Sequence, residues 1–486
     1  MNFIIFQPDE LRAESVGCYG HPLAPTPNID ALAAQGTRFD QCHVQHTVCS
    51  PSRCSMMTGW YPHVRGHRTL WHLLRPDEPN MLRYLKQAGY EVRCYGKNDL
   101  LAVDSFASSV DEFKFYGRGM FGQNKYSIDE KGYYSFLYEP YDGSLEDHGD
   151  YANVQAAIDF LNSKPDKPFI LFLPLIFPHC PYSAPKHWHD FINPDDLPNL
   201  RPNDLPNRPD HHRLIREYRR FDQMSADEES AMMRKIQAIY LGMTGFIDEL
   251  LGRLLTTLDE TGFAENTTVS FTSDHGDYAG DYGLVEKWPS AGEDVITRVP
   301  LIVRTPGGKA GHVVNEQMEL FDIMATTLEQ AGVEPQHTHF ARSYVPQLNG
   351  VAGDPDRIAY CEGGYATHEP HCFEGKAERD PFARDESHIY FPKGKQQQDY
   401  PDSVGRDVSM KSMSHRLVYR PTGTCELYDV QTDPQELNNL YGQVDVADVQ
   451  QSMESEMLRW LVQTSDVTPF ETDPRGLPAA DDARRG

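Results

Sequence analysis

The sequence predicts an α/β fold, a mainly parallel sheet with helices on both faces, followed by a smaller α+β domain. Three observations predict it. Short aliphatic and β-branched runs alternate with stretches of helical period. Each of these runs ends in a polar residue of catalytic type. Past about residue 380 the pattern changes to short strands and a single helix.

Taken in order, "NFIIFQP" runs into Asp9 and Glu10, "YEVRCYG" into Lys97, "FILFLPLIFP" into His179, and "TTVSFTS" into Asp274 and His275. Between the last two, Ile236, Ile239, Tyr240, Met243, Ile247, Leu250, Leu251, Leu254 and Leu258 recur along one helix face. Strands alternating with helices imply a sheet covered on both sides. Ligands of such sheets sit beyond the carboxyl ends of the strands, so these polar residues are expected on one rim. From about Asp190 to Met224 the chain is rich in Pro, Asp, Asn and Arg, and an irregular insertion bordering a pocket is expected there. "MSHRLVYRPTGTCELYDV" reads as two strands joined by a glycine turn, "VADVQQSMESEMLRWLVQ" as a closing helix, and "ETDPRGLPAADDARRG" as a loosely ordered tail. The expected domains are residues 1–380 and 381–486, since a chain of 486 residues exceeds one ordinary core.

A formal net charge of −27 gives nucleic acid and anionic membranes no long-range attraction, so a small or locally recognised substrate is expected. The opening "MNFIIFQPDE" has no basic segment before its apolar run and carboxylates directly behind it. It reads as a first strand rather than a signal peptide, no run approaches bilayer length, and a cytoplasmic protein is expected. The nine cysteines are odd in number and show no framework spacing, which argues against a disulfide scaffold. Oligomeric state is left open.

Within "HTVCSPSRCSMMTG", Cys49 precedes Pro51, Ser52 and Arg53, with Thr58-Gly59 closing the stretch. This frame resembles the C-x-P-S-R-x(4)-T-G signature of the type I sulfatases in the alkaline phosphatase superfamily. "TPNIDALAAQGTRF", "TRVPLIV" and "ELYDVQTDPQELNNL" resemble further segments of that family, so the likeness covers most of the chain. The resemblance implies an alkaline-phosphatase-like large sheet and a small C-terminal domain with a four-stranded antiparallel sheet. It also implies that Cys49 is the precursor of formylglycine, made by a maturation enzyme. A thiol would leave a stable thiosulfate adduct, whereas a geminal diol attacks with one oxygen and expels sulfate by collapsing to the aldehyde.

Asp9, Glu10, Asp274 and His275 suit a divalent cation such as Ca²⁺ or Mg²⁺, with Glu10 standing where relatives carry a second aspartate. By the same resemblance Arg53 orients the nucleophile. Lys97 ("YGKNDL") and Lys287 ("YGLVEKW") bind sulfate, and His179 ("FPHCPY") assists the leaving alcohol. Many relatives place a histidine two positions after the first lysine, where this chain has Asp99. Asp99, or one of His63, His67 and His72, or else metal-bound water, is expected to remove the proton that ejects sulfate. His368, His371 and Arg384 are expected either to border the substrate or to be solvated. The implied activity is hydrolysis of a small-molecule or saccharide sulfate ester, with phosphonate monoester or phosphodiester hydrolysis as the alternative.

Overall fold

The computed structural model describes residues 1–119, 121–375 and 381–468. Twelve strands are β1 (Asn2–Asp9), β2 (Thr37–His43), β3 (Glu91–Tyr95), β4 (Glu112–Lys114), β5 (Phe169–Pro178), β6 (Thr267–Thr272), β7 (Arg298–Arg304), β8 (His312–Glu319), β9 (Ala359–Gly363), β10 (Asp407–Lys411), β11 (His415–Tyr419) and β12 (Glu426–Asp429). The first eight form one sheet in the order β4-β3-β5-β1-β6-β7-β2-β8. Strands β4, β3, β5, β1 and β6 are mutually parallel, and β7 alone runs against both of its neighbours. The sheet is therefore mixed, with its parallel half carrying the runs read from sequence.

The pleat of β1 shows why both faces must be covered. Ile4 and Phe6 enter one core, with Ile236, Ile239 and Met243 of the helix Ala226–Glu260. Phe3 and Ile5 enter the other, with Met56 and Met57 of the helix Cys49–Thr58. Side chains alternate across a strand, so a continuous apolar run feeds two cores at once. A Ser225–Glu228 capping box starts the long helix.

The second sheet, β12-β11-β10-β9, is antiparallel, and its first strand lies before residue 381. The turn between β11 and β12 contains Gly423 in the left-handed region. The helix Ala447–Thr464 closes this unit through Met453, Met457 and Trp460, the indole stacking on Tyr360 at 4.5 Å. The stretch from Asp190 to Met224 is less irregular than its composition suggests. It contains the helix Asp210–Tyr218, with His211, His212, Leu214 and Ile215 buried, so packing overrides the polar local sequence. The segment from Glu471 onward lies outside the described residues. Among the described residues no helix is long and apolar enough to cross a membrane.

One glycine fixes the route out of β3. Gly96 has φ 145°, and a Cβ there would lie 2.0 Å from the Pro174 carbonyl oxygen. That close approach lets the Lys97 N–H donate to the same carbonyl at 2.7 Å and turns Lys97 over the rim. Gly96→Ala is expected to cost about 2–4 kcal/mol of stability, from backbone strain plus the displaced strand, as read by urea denaturation.

Candidate active site

The carboxyl ends of the parallel strands deliver their residues to one rim. Asp9 ends β1 and Glu10 follows it, Lys97 follows β3, His179 follows β5, and Asp274 and His275 follow β6. Cys49 is the first residue of a ten-residue helix that is buried along its whole length and ends at Gly59, in the left-handed region. Its Sγ lies 3.4 Å from Asp9 Oδ1, 3.2 Å from His275 Nε2 and 3.9 Å from Lys97 Nζ. One turn further along, Arg53 donates from Nε to Asp274 Oδ2 at 2.8 Å and from a terminal nitrogen to Asp9 Oδ2 at 2.9 Å. The Ser52 hydroxyl donates to the Asp274 carbonyl at 2.6 Å, so the helix and the end of β6 are pinned at two points.

The electrostatics follow from this burial. Desolvation works to raise the Asp9 carboxyl, but Lys97 and Arg53 hold it well below its ordinary range. Lys97 and Arg53 stay cationic because Asp9, with Asp99 for the lysine and Asp274 for the arginine, outweighs their desolvation. Burial, aided by the Asp9 charge, pushes the Cys49 thiol well above its usual value. That is the opposite of what a thiolate nucleophile requires.

Asp9, Asp274, His275 and position 49 form a group whose donor atoms all lie within 4.8 Å of one another. The His275 Nδ1–H donates to the Gly276 carbonyl at 2.8 Å, which leaves the Nε2 lone pair facing this group, as in a histidine oriented for a metal. Two carboxylates and one such imidazole fit a hard divalent cation.

Glu10 does not join that group. Its backbone takes a left-handed conformation (φ 66°), its N–H donates to Asp274 Oδ1 at 3.2 Å, and its carbonyl accepts from the Tyr240 hydroxyl at 2.5 Å. The side chain is thereby sent to Lys287, which donates to it, and to His179, 3.2 Å away. Burial, opposed by Lys287 and aided by the Asp277 charge, pushes its carboxyl well up, and burial raises the Asp277 carboxyl too. Asp277 was not singled out from sequence. Its signal was its place just after Asp274-His275 in "SDHGD".

His179 donates from Nδ1 to the Cys180 carbonyl at 2.6 Å and accepts at Nε2 from Lys287 Nζ at 3.0 Å. Desolvation and the Lys287 charge keep the ring neutral. Asp99 pairs with Lys97 at 2.8 Å. Despite desolvation, Lys97 and Arg53 lower its carboxyl, so it is an ionised acceptor. Both ring nitrogens of His63 are engaged elsewhere, by Glu362 and the Thr464 carbonyl, and those of His67 by Glu78 and the His72 carbonyl. His368, His371 and Arg384 are exposed.

Arg53→Ala leaves two buried carboxylates without their shared cation and is expected to destabilise the fold by about 3–5 kcal/mol. Asp9 has a lower pKa folded than unfolded. It therefore contributes stability above about pH 4, and that contribution is lost as the pH falls toward its folded value. In the variant this acid loss should begin at higher pH, as followed by thermal unfolding between pH 3 and 7.

The sulfatase family profile matches residues 1–333, which include every strand of the large sheet. Over 500 residues the chain is 27% identical to the uncharacterized sulfatase YidJ of Escherichia coli K12, covering 99% of this chain and 91% of that one. A solved structure in complex with its substrate D-glucosamine-2-N,6-O-disulfate has a TM-score of 0.73 at 22% identity, covering 98% of this chain and 99% of that one. The phosphonate monoester hydrolase of Agrobacterium radiobacter gives 0.71 at 20% identity, covering 95% and 96%. At these identities the two structures establish the shared fold, and the profile establishes more: the chain belongs to the sulfatase family.

Proposed function

We propose that the protein hydrolyses a sulfate monoester, using position 49 as formylglycine beside a divalent cation held by Asp9, Asp274 and His275. The observation that carries this reading is the placement of position 49. It heads a buried helix within contact of two anionic or imidazole donors and one lysine, while its thiol is held protonated. The aldehyde hydrate would supply an oxygen nucleophile that can be regenerated. The cation, Ca²⁺ or Mg²⁺, would supply positive charge against the sulfuryl oxygens.

The chain's own residues do the rest. Arg53 fixes Asp9 and Asp274 in place, and its position one turn after residue 49 ties the nucleophile to the metal carboxylates. Lys97 and Lys287 offer ammonium groups from two sides for the charge that builds on sulfate. His179 is neutral with its Nε2 lone pair toward Lys287, so a proton passed to the departing alcohol is drawn from that lysine–histidine pair rather than from an imidazolium. Asp99, ionised and paired with Lys97, is the candidate to take the proton that ejects sulfate.

A phosphonate monoester is the second reading, supported by the fold shared with the Agrobacterium enzyme. Rates on matched aryl sulfate and aryl phosphonate esters decide between them, and the sulfate is expected to be the faster.

Peptide mass analysis of active protein is expected to show the aldehyde at position 49. Cys49→Ala should lose at least about 10³-fold in kcat with its unfolding transition unchanged. If the variant keeps substantial activity, water and not this residue attacks the ester. His179→Ala should fall most on esters of poorly acidic alcohols and least on nitrophenyl sulfate, because a good leaving group needs little protonation. A uniform loss across a leaving-group series would remove His179 from that role.

A further inference from the structure

A second group of metal-binding side chains lies outside the catalytic rim. His211 and His212 are adjacent residues of the helix Asp210–Tyr218, and both turn Nε2 toward one buried carboxylate, that of Glu293, just before the short helix Asp294–Thr297. One donor atom from each of the three lies within 4.8 Å of the others. Successive residues of a helix point about 100° apart, so two neighbouring rings do not meet at one atom by helical geometry alone.

The distances suit a four-coordinate ion. His212 Nε2 lies 2.7 Å from Glu293 Oε1, and His211 Nε2 lies 3.6 Å from the same oxygen. The Tyr278 hydroxyl closes the group, 3.1 Å from Glu293 Oε2 and 3.5 Å from His211 Nε2. Ligands bound to tetrahedral zinc at about 2.0–2.1 Å are about 3.3–3.4 Å apart, so three of these four separations fall within about 0.3 Å of the required edge. Only the His212–Glu293 hydrogen bond has to open.

Glu293 also differs from the buried acids around it. Asp294 pairs with Lys411, Arg298 and Arg416, Glu426 with Arg208 and Arg420, and Glu436 with Arg416. Among the described residues, the partners of Glu293 within ion-pair distance are the two imidazoles, with no lysine or arginine. Burial pushes the His211 ring down to about 4, so it is neutral, the form that binds metals. A buried carboxylate without a fixed cation calls for one, since buried charges are paired or coordinate metals. Around it Ile215, Leu284, Trp288, Val295 and Ile296 form an apolar shell of the kind that encloses metal centres.

We propose that His211, His212 and Glu293 bind a divalent cation distinct from the catalytic one, foremost Zn²⁺, with the Tyr278 hydroxyl at its fourth corner, and that this ion ties the 190–224 insertion to the chain on either side of Lys287. Two imidazoles favour zinc over the Ca²⁺ or Mg²⁺ that suits the carboxylate-rich rim. The site is independent of the chemistry at residue 49.

Equilibrium dialysis with Zn²⁺ tests it on the Cys49→Ala/His275→Ala protein, whose catalytic cluster keeps only two carboxylates, with Ca²⁺ in excess to fill them. One zinc per chain is expected. Adding His212→Gln, which keeps a hydrogen-bond donor for Glu293 but no imidazole, should weaken zinc binding at least about 100-fold, because losing a ligand costs no less than losing its outer partner. Tyr278→Phe should weaken it less. Co²⁺ in place of zinc should give the strong visible bands of a four-coordinate site, and those bands should vanish in His212→Gln. Chelation of the parent protein should lower its thermal midpoint, with Zn²⁺ but not Ca²⁺ restoring it. No bound zinc, undiminished zinc binding in His212→Gln, or the weak spectrum of six-coordinate cobalt overturns the proposal. If His212→Gln does not fold, His211→Gln and the cobalt spectrum of the parent protein decide by the same criteria.

Discussion

The catalytic rim depends on one guanidinium. Arg53 reaches from the helix headed by residue 49 to carboxylates at the ends of β1 and β6, with both partners fully buried. Each charge alone would be costly to hold out of water, and together they are tolerable only because the fork meets both acids at hydrogen-bonding distance. A lysine could neutralise one carboxylate but could not span two strands with fixed geometry. The separation of Asp9 from Asp274, and so the width of any cation site between them, is set by the dimensions of an arginine.

A second buried network lies against the first. Lys287 links Glu10 to His179, the Asp277 charge acts on Glu10, and Asp277 accepts from the Tyr182 hydroxyl at 2.7 Å. Through Glu286, which pairs with Lys393 and Arg219, it continues to the helix Phe391–Asp399, beyond the large sheet. The two networks touch where the Glu10 N–H meets Asp274. Adjacent residues Asp9 and Glu10 thus serve opposite sides of the site, and the left-handed backbone at Glu10 is what divides them.

Much of this was legible in the sequence because the relevant signals are local. An apolar run long enough to feed two cores and ending in an acid or a histidine announces both a strand and the rim at its end. That is why β1, β3, β5 and β6 and the residues after them could be placed, and the Cys49–Gly59 frame marked the helix between them. The direction of the Glu10 side chain was not legible. It depends on a positive φ and on contacts with Tyr240, Asp274 and Asp277, all distant in sequence. The helix Asp210–Tyr218 was hidden for a related reason, since its stability comes from burying Leu214 and Ile215 against other elements and not from its own polar composition. Strand β9 carries too short a run to be seen before its pairing with β10 is known.

The helix that begins at Cys49 is enclosed along its whole length, and the cysteine itself is 1% exposed. If position 49 is converted to formylglycine as proposed, a converting enzyme would need to reach a side chain and a helix that the described fold encloses. The conversion would then have to precede the packing of this helix against β1 and β6. Catalytic competence would then be decided by a race between folding and modification. A molecule that folds first would be well packed, stable and permanently inert, and no later supply of the maturation enzyme would rescue it without unfolding.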